Sequence, residues 1–226
     1  MQIKFLGTGG AFDYEYGNSA LTVDMDQRIL LDCGPSVFPS LMEKKLIKTI
    51  DYLLLTHLHG DHVGSLFQIA YYFKIFLNRK LKILVATTQF RAEIIALLNS
   101  LGVPDQAYEL LDLNAVSGII AIETTGKHAK NVTSFGYVFR HNNTTVYYSG
   151  DLGDVSVSRD FLQNCTDKNL TVFHEMSWNK GPAHTSYDEL GQLLKYAPIF
   201  AYHLNPNLEP KDNTVPLVHS HPEYLW

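Results

Sequence analysis

Tyr52-Leu53-Leu54-Leu55-Thr56-His57-Leu58-His59-Gly60-Asp61-His62 is the stretch from which the rest of the chain can be read. Tyr52 to Leu55 is continuously apolar, the pattern of a strand covered on both faces rather than one with a wet side. It runs straight into four potential metal ligands within six residues. An extended His-x-His sends both imidazoles to one side of the backbone. Gly60 is read as permitting a tight turn that brings Asp61 and His62 beside them. Neutral imidazole and carboxylate are the donors that borderline divalent ions prefer, and a catalytic site keeps one position open for water.

Short strands and helices alternate on either side of this stretch. Upstream, Gln2 to Leu6 is strand-like, and Ala20 to Val23 and Ile29 to Asp32 flank the turn Asp24-Met25-Asp26 as a hairpin. Ser36 to Lys44 is expected as a helix. Downstream, Val63 to Leu77 is expected as a helix apolar nearly all round, with part of it packed against a second subunit. The spacing then predicts strand Leu81 to Val85, helix Phe90 to Leu101, strand Gly118 to Ile122 and a hairpin from Phe135 to Ser149 turning at Asn142-Asn143. Strand Leu170 to Phe173, a helix from about Tyr187 to Tyr196 and strand Ile199 to His203 follow. Ser186 with Glu189 forms a capping box for that last helix. Hairpins mixed with crossover helices specify sheets flanked by helices, and no composition break divides residues 1–226 into two domains.

Composition narrows the partners. Only 18% of the 226 residues are charged, against ~25% in an average soluble domain, and the formal charge is -5. Such a chain supplies no general field for polyanions, so no stable nucleic-acid partner is expected. Cys33 and Cys165 cannot build a disulfide framework and are read as reduced thiols. The N-terminal stretch reaches Gly7-Thr8-Gly9-Gly10 without a signal-peptide core, and Leu66 to Leu77 is too short to span a bilayer. A cytoplasmic protein without membrane attachment is the expectation.

Ten histidines stand out against this poverty of charge. His57-Leu58-His59-Gly60-Asp61-His62 resembles the His-x-His-x-Asp-His motif of the metallo-β-lactamase superfamily, and the resemblance extends over nearly the whole chain. Asp32 looks like the aspartate that orders the metal loop, His128 matches the third motif, Asp151 in Ser149-Gly150-Asp151 the fourth and His203 the fifth. The fold so implied is α/β, a four-layer αβ/βα sandwich with two mixed sheets and the site at one edge. The resemblance assigns His57, His59 and His128 to one ion and Asp61, His62 and His203 to the other, with Asp151 bridging. Seven ligands exceed what one tetrahedral centre uses, so two divalent ions are expected, zinc before manganese or iron. Hydrolysis is the expected reaction. The oxygen-handling flavodiiron branch carries an acidic residue where His59 stands here.

Phe173-His174-Glu175-Met176-Ser177-Trp178 and His184-Thr185-Ser186 resemble the His-Glu-Ala-Thr and His-Ser-Thr motifs of the ribonuclease Z-like branch. By that resemblance Glu175 holds a protonated His184, which stabilises phosphoryl oxygens and protonates the leaving group. His184 is also expected just before a helix N-terminus that favours an anion. Met176 and Trp178 replace smaller residues of the motif. Ribonuclease Z carries a long basic arm between its third and fourth motifs, whereas His128 to Asp151 holds only a hairpin. A small phosphodiester such as a cyclic nucleotide is therefore the expected substrate, by analogy with ribonuclease Z-like phosphodiesterases and anti-Pycsar phage enzymes. The alternatives are ribonuclease Z-like RNA cleavage, lactone, thioester or β-lactam hydrolysis at the same centre, and a non-catalytic metal-binding module. A homodimer is expected from the family.

The other singled-out residues carry less. Tyr14, Tyr16, Tyr71, Tyr72 and Phe73 are candidates for stacking on a base. His219-Ser220-His221 is read as a docked or mobile tail, His141 as an exposed turn residue and His174 as packing. Gly7-Thr8-Gly9-Gly10 is read as a backbone turn near the metals, since no Lys-Ser/Thr follows it.

Overall fold

The computed structural model describes residues 1–13 and 15–226. Strands β1 (Gln2–Gly7), β2 (Ala20–Asp24), β3 (Arg28–Leu31), β4 (Tyr52–Leu54), β5 (Leu81–Val85) and β6 (Tyr108–Asp112) form one sheet in that order. β1 to β3 pair antiparallel and β3 to β6 parallel, so the sheet is mixed. The second sheet consists of β7 (Ile119–Glu123), β8 (Phe135–His141), β9 (Thr144–Tyr148), β10 (Leu170–Glu175) and β11 (Ile199–Tyr202), in the order β11-β10-β9-β8-β7. It too is mixed: parallel across β9, β10 and β11, and antiparallel across β7, β8 and β9. β8 and β9 are joined by Asn142-Asn143, both in the left-handed region as a two-residue type I′ turn requires.

The two-residue period of the strands separates two cores. Tyr137, Phe139, Tyr148 and Phe173 of the second sheet belong to the same buried cluster as Phe5, Leu31, Leu54 and Leu84 of the first. Their strand neighbours Val138, Tyr147 and Val172 face the other way and pack with Leu162 of α5 (Ser156–Asn164) and Leu190 of α6 (Tyr187–Gly191). The sheets are thus packed face to face, with Phe5 centred 5.2 Å from Phe173 and 5.7 Å from Tyr202. Each such side chain contributes about 1.5–3 kcal/mol by leaving water. On the outer side of the first sheet lie α1 (Val37–Glu43), α3 (Leu66–Phe76) and α4 (Thr88–Ser100), which completes the αβ/βα layering.

Strand direction locates the site. β3 and β4 are parallel, and β7, β9, β10 and β11 all run the same way, because β8 is antiparallel to both its neighbours. Asp32, the histidine loop, His128, Asp151 and His203 follow the C-terminal ends of these strands, and Glu175 is the last residue of β10. That is the side on which open α/β sheets place their ligands.

Four local expectations are corrected. The helix expected over Val63 to Leu77 is split into α2 (Gly60–Val63) and α3 at Gly64-Ser65. A Cβ on Gly64 would meet Pro35 Cγ at 2.6 Å, and the Ser65 hydroxyl donates to the Pro35 carbonyl, so the break docks against the loop after β3. Gly60 has no positive φ and open space around it, so no glycine-specific turn is needed there. The helix expected to reach Tyr196 ends at Gly191. Ser186 and Glu189 do form its capping box, but this five-residue helix does not present a free N-terminus to an anion. Two elements had no sequence signal strong enough to place them: β6, a half-exposed edge strand, and α5, whose polar sequence buries only Ser158 and Leu162. Among the described residues, no helix is long and apolar enough to cross a membrane.

Candidate metal centre

Asp32 organises the loop that follows β4. It is fully buried, in the left-handed region (φ 62°), which non-glycine residues seldom adopt. Its carboxylate accepts from the Thr56 amide (2.8 Å), the Thr56 hydroxyl (2.8 Å) and His62 Nδ1 (2.8 Å). The backbone beyond it is tied to the loop directly, since the Cys33 amide donates to His62 O (2.7 Å) and the Ser65 amide to Cys33 O (2.8 Å). The second sheet holds the same loop from the other side, through Phe135 N to Thr56 O and the Tyr137 hydroxyl to Leu55 O.

These bonds set the histidine tautomers. Thr56 Oγ1 gives its proton to Asp32 and so accepts from His57 Nδ1 (3.0 Å), while His62 Nδ1 donates to Asp32 and His128 Nδ1 to the Ala183 carbonyl (2.7 Å). Each ring therefore turns an Nε2 lone pair inward. The arrangement in which a ligating histidine donates its other N–H to a carboxylate or carbonyl is the one that metal sites use. Around this centre, Asp151 Oδ2 lies 3.4 Å from Nε2 of His62 and of His203, 3.7 Å from that of His128 and 3.9 Å from that of His57. Asp61 Oδ2 lies 3.4 Å from Nε2 of both His62 and His203. His59 and His128 approach through Nδ1 and Nε2 at 3.1 Å.

The donor set fits divalent ions. Ligand atoms converge as His57, His59 and His128, and as Asp61, His62, Asp151 and His203; His184 joins two further such groups, one with His128 and Asp151 and one with Glu175 and His203. Donors ~2.0–2.2 Å from a tetrahedral ion stand ~3.3–3.6 Å apart, close to the spacings here. Among the described residues, His57 Nε2, His62 Nε2 and Asp151 Oδ1 are buried without a hydrogen-bond partner, a costly state for polar atoms unless something else satisfies them.

Electrostatics agree. Burial lowers His57, His59 and His128 below the ordinary imidazole value, leaving neutral donors at pH 7. Burial alone would raise Asp151, but His203, His62 and His57 overcome it and hold the carboxyl well below its usual range. At Asp61 too burial is outweighed, by the hydrogen bond from His203 and the nearby His62 imidazole, and the group is held low. His62 goes the other way: burial would lower it, yet Asp151 and Asp32 drive it well up. Two carboxylates thus face His62 Nε2 at 3.4 Å each, an arrangement that favours a cation between them, whether a proton or a metal ion. Asp32 itself is raised by burial despite its donors.

Beside this cluster sits a carboxylate–histidine pair. Glu175 is fully buried at the end of β10, and its Oε1 accepts from the Thr185 amide (2.7 Å) and the Leu152 amide (3.3 Å). Its Oε2 faces His184 Nδ1 at 3.1 Å. Burial would lower His184, but the bond and charge of Glu175 raise it above its ordinary value. The His184 ring is centred 4.9 Å from His128 and 5.1 Å from His203, so the pair addresses the candidate ligand cluster and is not a surface ion pair. A cavity of about 360 Å³ opens from His184 and His203 toward Phe12, Trp178 and Leu208.

Every sequence-nominated ligand, together with Glu175 and His184, is brought into this one region. The nominated aromatics among the described residues are not. Tyr14 lies outside the described residues. Tyr16 packs on His219, Tyr71 donates to Gly102 O, Tyr72 packs on Phe38 and Phe76, and Phe73 is buried under Arg79. His141 is half-buried near Asp26, and His221 packs on Phe200. His174 is buried, with Ser158 at Nε2 and the Glu175 carbonyl at Nδ1. The Gly7-Thr8-Gly9-Gly10 turn abuts the site, for the His203 amide donates to Thr8 O. Sequence reasoning missed the roles of Thr56, Leu152, Ala183 and Thr185, which act through backbone or hydroxyl groups; Thr56 and Thr185, each standing in or beside a quoted motif, had a signal to find.

Fold and donor set define the class as a metallo-β-lactamase-fold protein with a divalent metal centre. YhfI from Bacillus subtilis, described as a metallo-β-lactamase fold protein, superposes with a TM-score of 0.73 at 18% identity over 93% of this chain and 88% of that one. The short form of human tRNase Z follows at 0.70 and 18% identity, over 90% of this chain and 92% of that one. At such identity these neighbours speak for the fold alone. A family profile described as Anti-Pycsar protein Apyc1 matches residues 1–221, and the chain belongs to that family. The anti-Pycsar protein Apyc1 of Bacillus phage BSP38 is 31% identical over 92% of this chain and 90% of its own. That of Paenibacillus harenae is 28% identical over 84% and 83% respectively.

Proposed function

We propose that the chain is one catalytic domain, residues 1–226, that hydrolyses small phosphodiesters, cyclic nucleotides foremost, at a centre of two divalent ions, zinc before manganese or iron. The observation that carries this reading is the buried Glu175 holding His184 beside the ligand cluster. A phosphodiester releases an alkoxide that needs a proton, and this pair stands where it can supply one; an acyl substrate could use the same acid, so the choice between the two classes rests on the family to which the chain belongs. Membership of the anti-Pycsar protein Apyc1 family supports the cyclic-nucleotide end of the class.

In this reading His57, His59 and His128 hold one ion, and Asp61, His62 and His203 the other, with Asp151 between them. When bound, such a pair supplies positive charge to the phosphoryl oxygens and acidifies water. Asp61, kept ionised by His203 and His62, accepts a hydrogen bond from the attacking water and orients it, and the proton of that acidified water is released to solvent. His184 donates a proton to the leaving oxygen, and Glu175 fixes its tautomer and favours its charged form. Asp32 and Thr56 keep His57 and His62 aimed.

The reading places the protein in the cytoplasm as a homodimer without a nucleic-acid or membrane partner. The outer face of α3, where Phe67, Ile75 and Phe76 are exposed, supports the dimer. Sedimentation equilibrium of wild type and Phe76→Glu tests it: a monomeric wild type would refute it.

The activity is tested by offering the metal-loaded protein 3′,5′- and 2′,3′-cyclic nucleotides, short RNA, bis(p-nitrophenyl) phosphate, a lactone and a thioester. Turnover of the cyclic nucleotides, abolished in Asp61→Ala, is expected. His184→Ala should retain metal while losing about 10²–10⁴ in rate. Turnover confined to the lactone or thioester would replace the reading with acyl hydrolysis.

A further inference from the structure

The cavity that opens beside the metal-ligating cluster has an aromatic end and a histidine end. His184 and His203 form one wall, and Trp178 and Phe12 lie along the rest of the lining. At about 360 Å³ it is near the lower limit of ligand pockets, ~300–1,000 Å³, and suits one nucleotide rather than an oligomer.

Trp178 is built as a rigid platform. Its Nε1 donates to the Asn205 carbonyl (2.9 Å), which locks the ring, and Tyr187 backs it with centroids 5.9 Å apart. Both anchors come from segments that also carry the site, since Trp178 lies three residues beyond Glu175 and Asn205 two beyond His203. Phe12 is the opposite case, with 95% of its surface exposed and hence a large apolar area waiting for a partner at the cavity's rim. Asp13, Ser177 and Asn179, on the same walls, offer the acceptors and donors that a heterocycle's edge requires. Asp13 is oriented by the Gly10 amide, which donates to its Oδ2 at 3.3 Å.

We infer that this cavity is a nucleobase site in which Trp178 stacks on the base, Phe12 covers it from the rim and the attached phosphate reaches the His184–His203 end. The inference rests on the phosphodiesterase reading and adds to it the residues that choose a nucleotide over any other small diester. A planar, uncharged heterocycle matches an aromatic wall with few ionised groups, and stacking accepts every base because each has a π-face.

The test is calorimetric titration of the purified protein with CMP, AMP and the base-free ribose 5-phosphate, which reads binding without turnover. Wild type should bind the nucleotides about 5- to 150-fold more tightly than ribose 5-phosphate, the equivalent of ~1–3 kcal/mol per stacked base. Trp178→Ala should lose most of that preference, Phe12→Ala part of it, and Trp178→Phe should keep it although the bond to Asn205 is gone. Trp178→Phe, with its folding checked by melting, separates loss of stacking from loss of fold. Equal affinity for nucleotide and ribose 5-phosphate in wild type, or an undiminished preference in Trp178→Ala, overturns the site. Turnover of cyclic nucleotides by wild type, measured in parallel, is judged separately. Base preference without turnover refutes the phosphodiesterase reading and leaves the base site standing, and turnover without base preference does the reverse.

Discussion

Gly34→Ala asks whether the loop after β3 and the histidine loop are in true backbone contact. A Cβ at Gly34 would lie 1.9 Å from the Asp61 carbonyl oxygen and 2.5 Å from Asn18 Cβ. Real Cβ contacts almost never fall below 3.0 Å, so the two loops must part by about 1.1 Å, and the neighbour is backbone, which cannot swing aside. Overpacking of this kind costs about 1–3 kcal/mol, or roughly 2–12 °C in Tm for a chain of this size. The displaced residue is Asp61 itself, and a 1 Å misplacement near the chemistry costs on the order of 10²-fold in rate. Gly60→Ala is the matched control, because a Cβ there meets nothing within 4 Å and the φ is ordinary. Metal content by atomic emission, melting by circular dichroism and phosphodiester turnover should all fall for Gly34→Ala and stay near wild type for Gly60→Ala. A Gly34→Ala protein with normal metal content and rate would refute the contact and the role given to it.

Three further outcomes follow from the same geometry. Glu175→Gln removes the charge that raises His184, so the acid form should be lost at lower pH and the alkaline limb of kcat should move down; an unmoved limb would dissociate Glu175 from the proton transfer. The sign for stability agrees: the pair's contribution is complete below the ordinary imidazole value of ~6.5 and disappears as pH rises through the raised one. Ser158→Ala should lower stability by about 1–3 kcal/mol, since Tyr147 and buried His174 both bond to that hydroxyl at 2.9 and 2.8 Å; a melt like wild type would show water in its place. EDTA should lower Tm by the mass-action term of a ligand bound only to the folded state, and two equivalents of zinc per chain should restore it. Restoration by one equivalent would reduce the centre to a single ion.

Local elements were legible where the chain states them twice. The Asn142-Asn143 hairpin combined flanking strand pattern with a turn pair suited to positive φ, and the structure forms it. The Tyr52–Leu54 strand was marked by its continuous apolar run, and the metal loop by ligand spacing alone. β6 and α5 were not legible. One is an edge strand with little to bury and the other a polar helix with only two buried residues, so tertiary contact outweighs weak local preference in both. Gly60 was misjudged because a glycine within a motif signals a turn, whereas steric demand is set by neighbours from elsewhere in the chain.

The sequence by itself determined the class of fold and the nominated ligand set. Both depend on which residue types stand at short spacings, and backbone geometry converts such spacings into direction. Only the tertiary structure decided how His57, His59, His62, His128 and His203 meet around Asp61 and Asp151, for their motifs lie as many as 146 positions apart in the chain. It also decided the tautomers, through Asp32, Thr56 and Ala183, and the cavity of about 360 Å³ lined by Trp178 and Phe12. Convergence of this kind depends on strands from two sheets ending at one edge, and on backbone carbonyls and amides that no side-chain alphabet records.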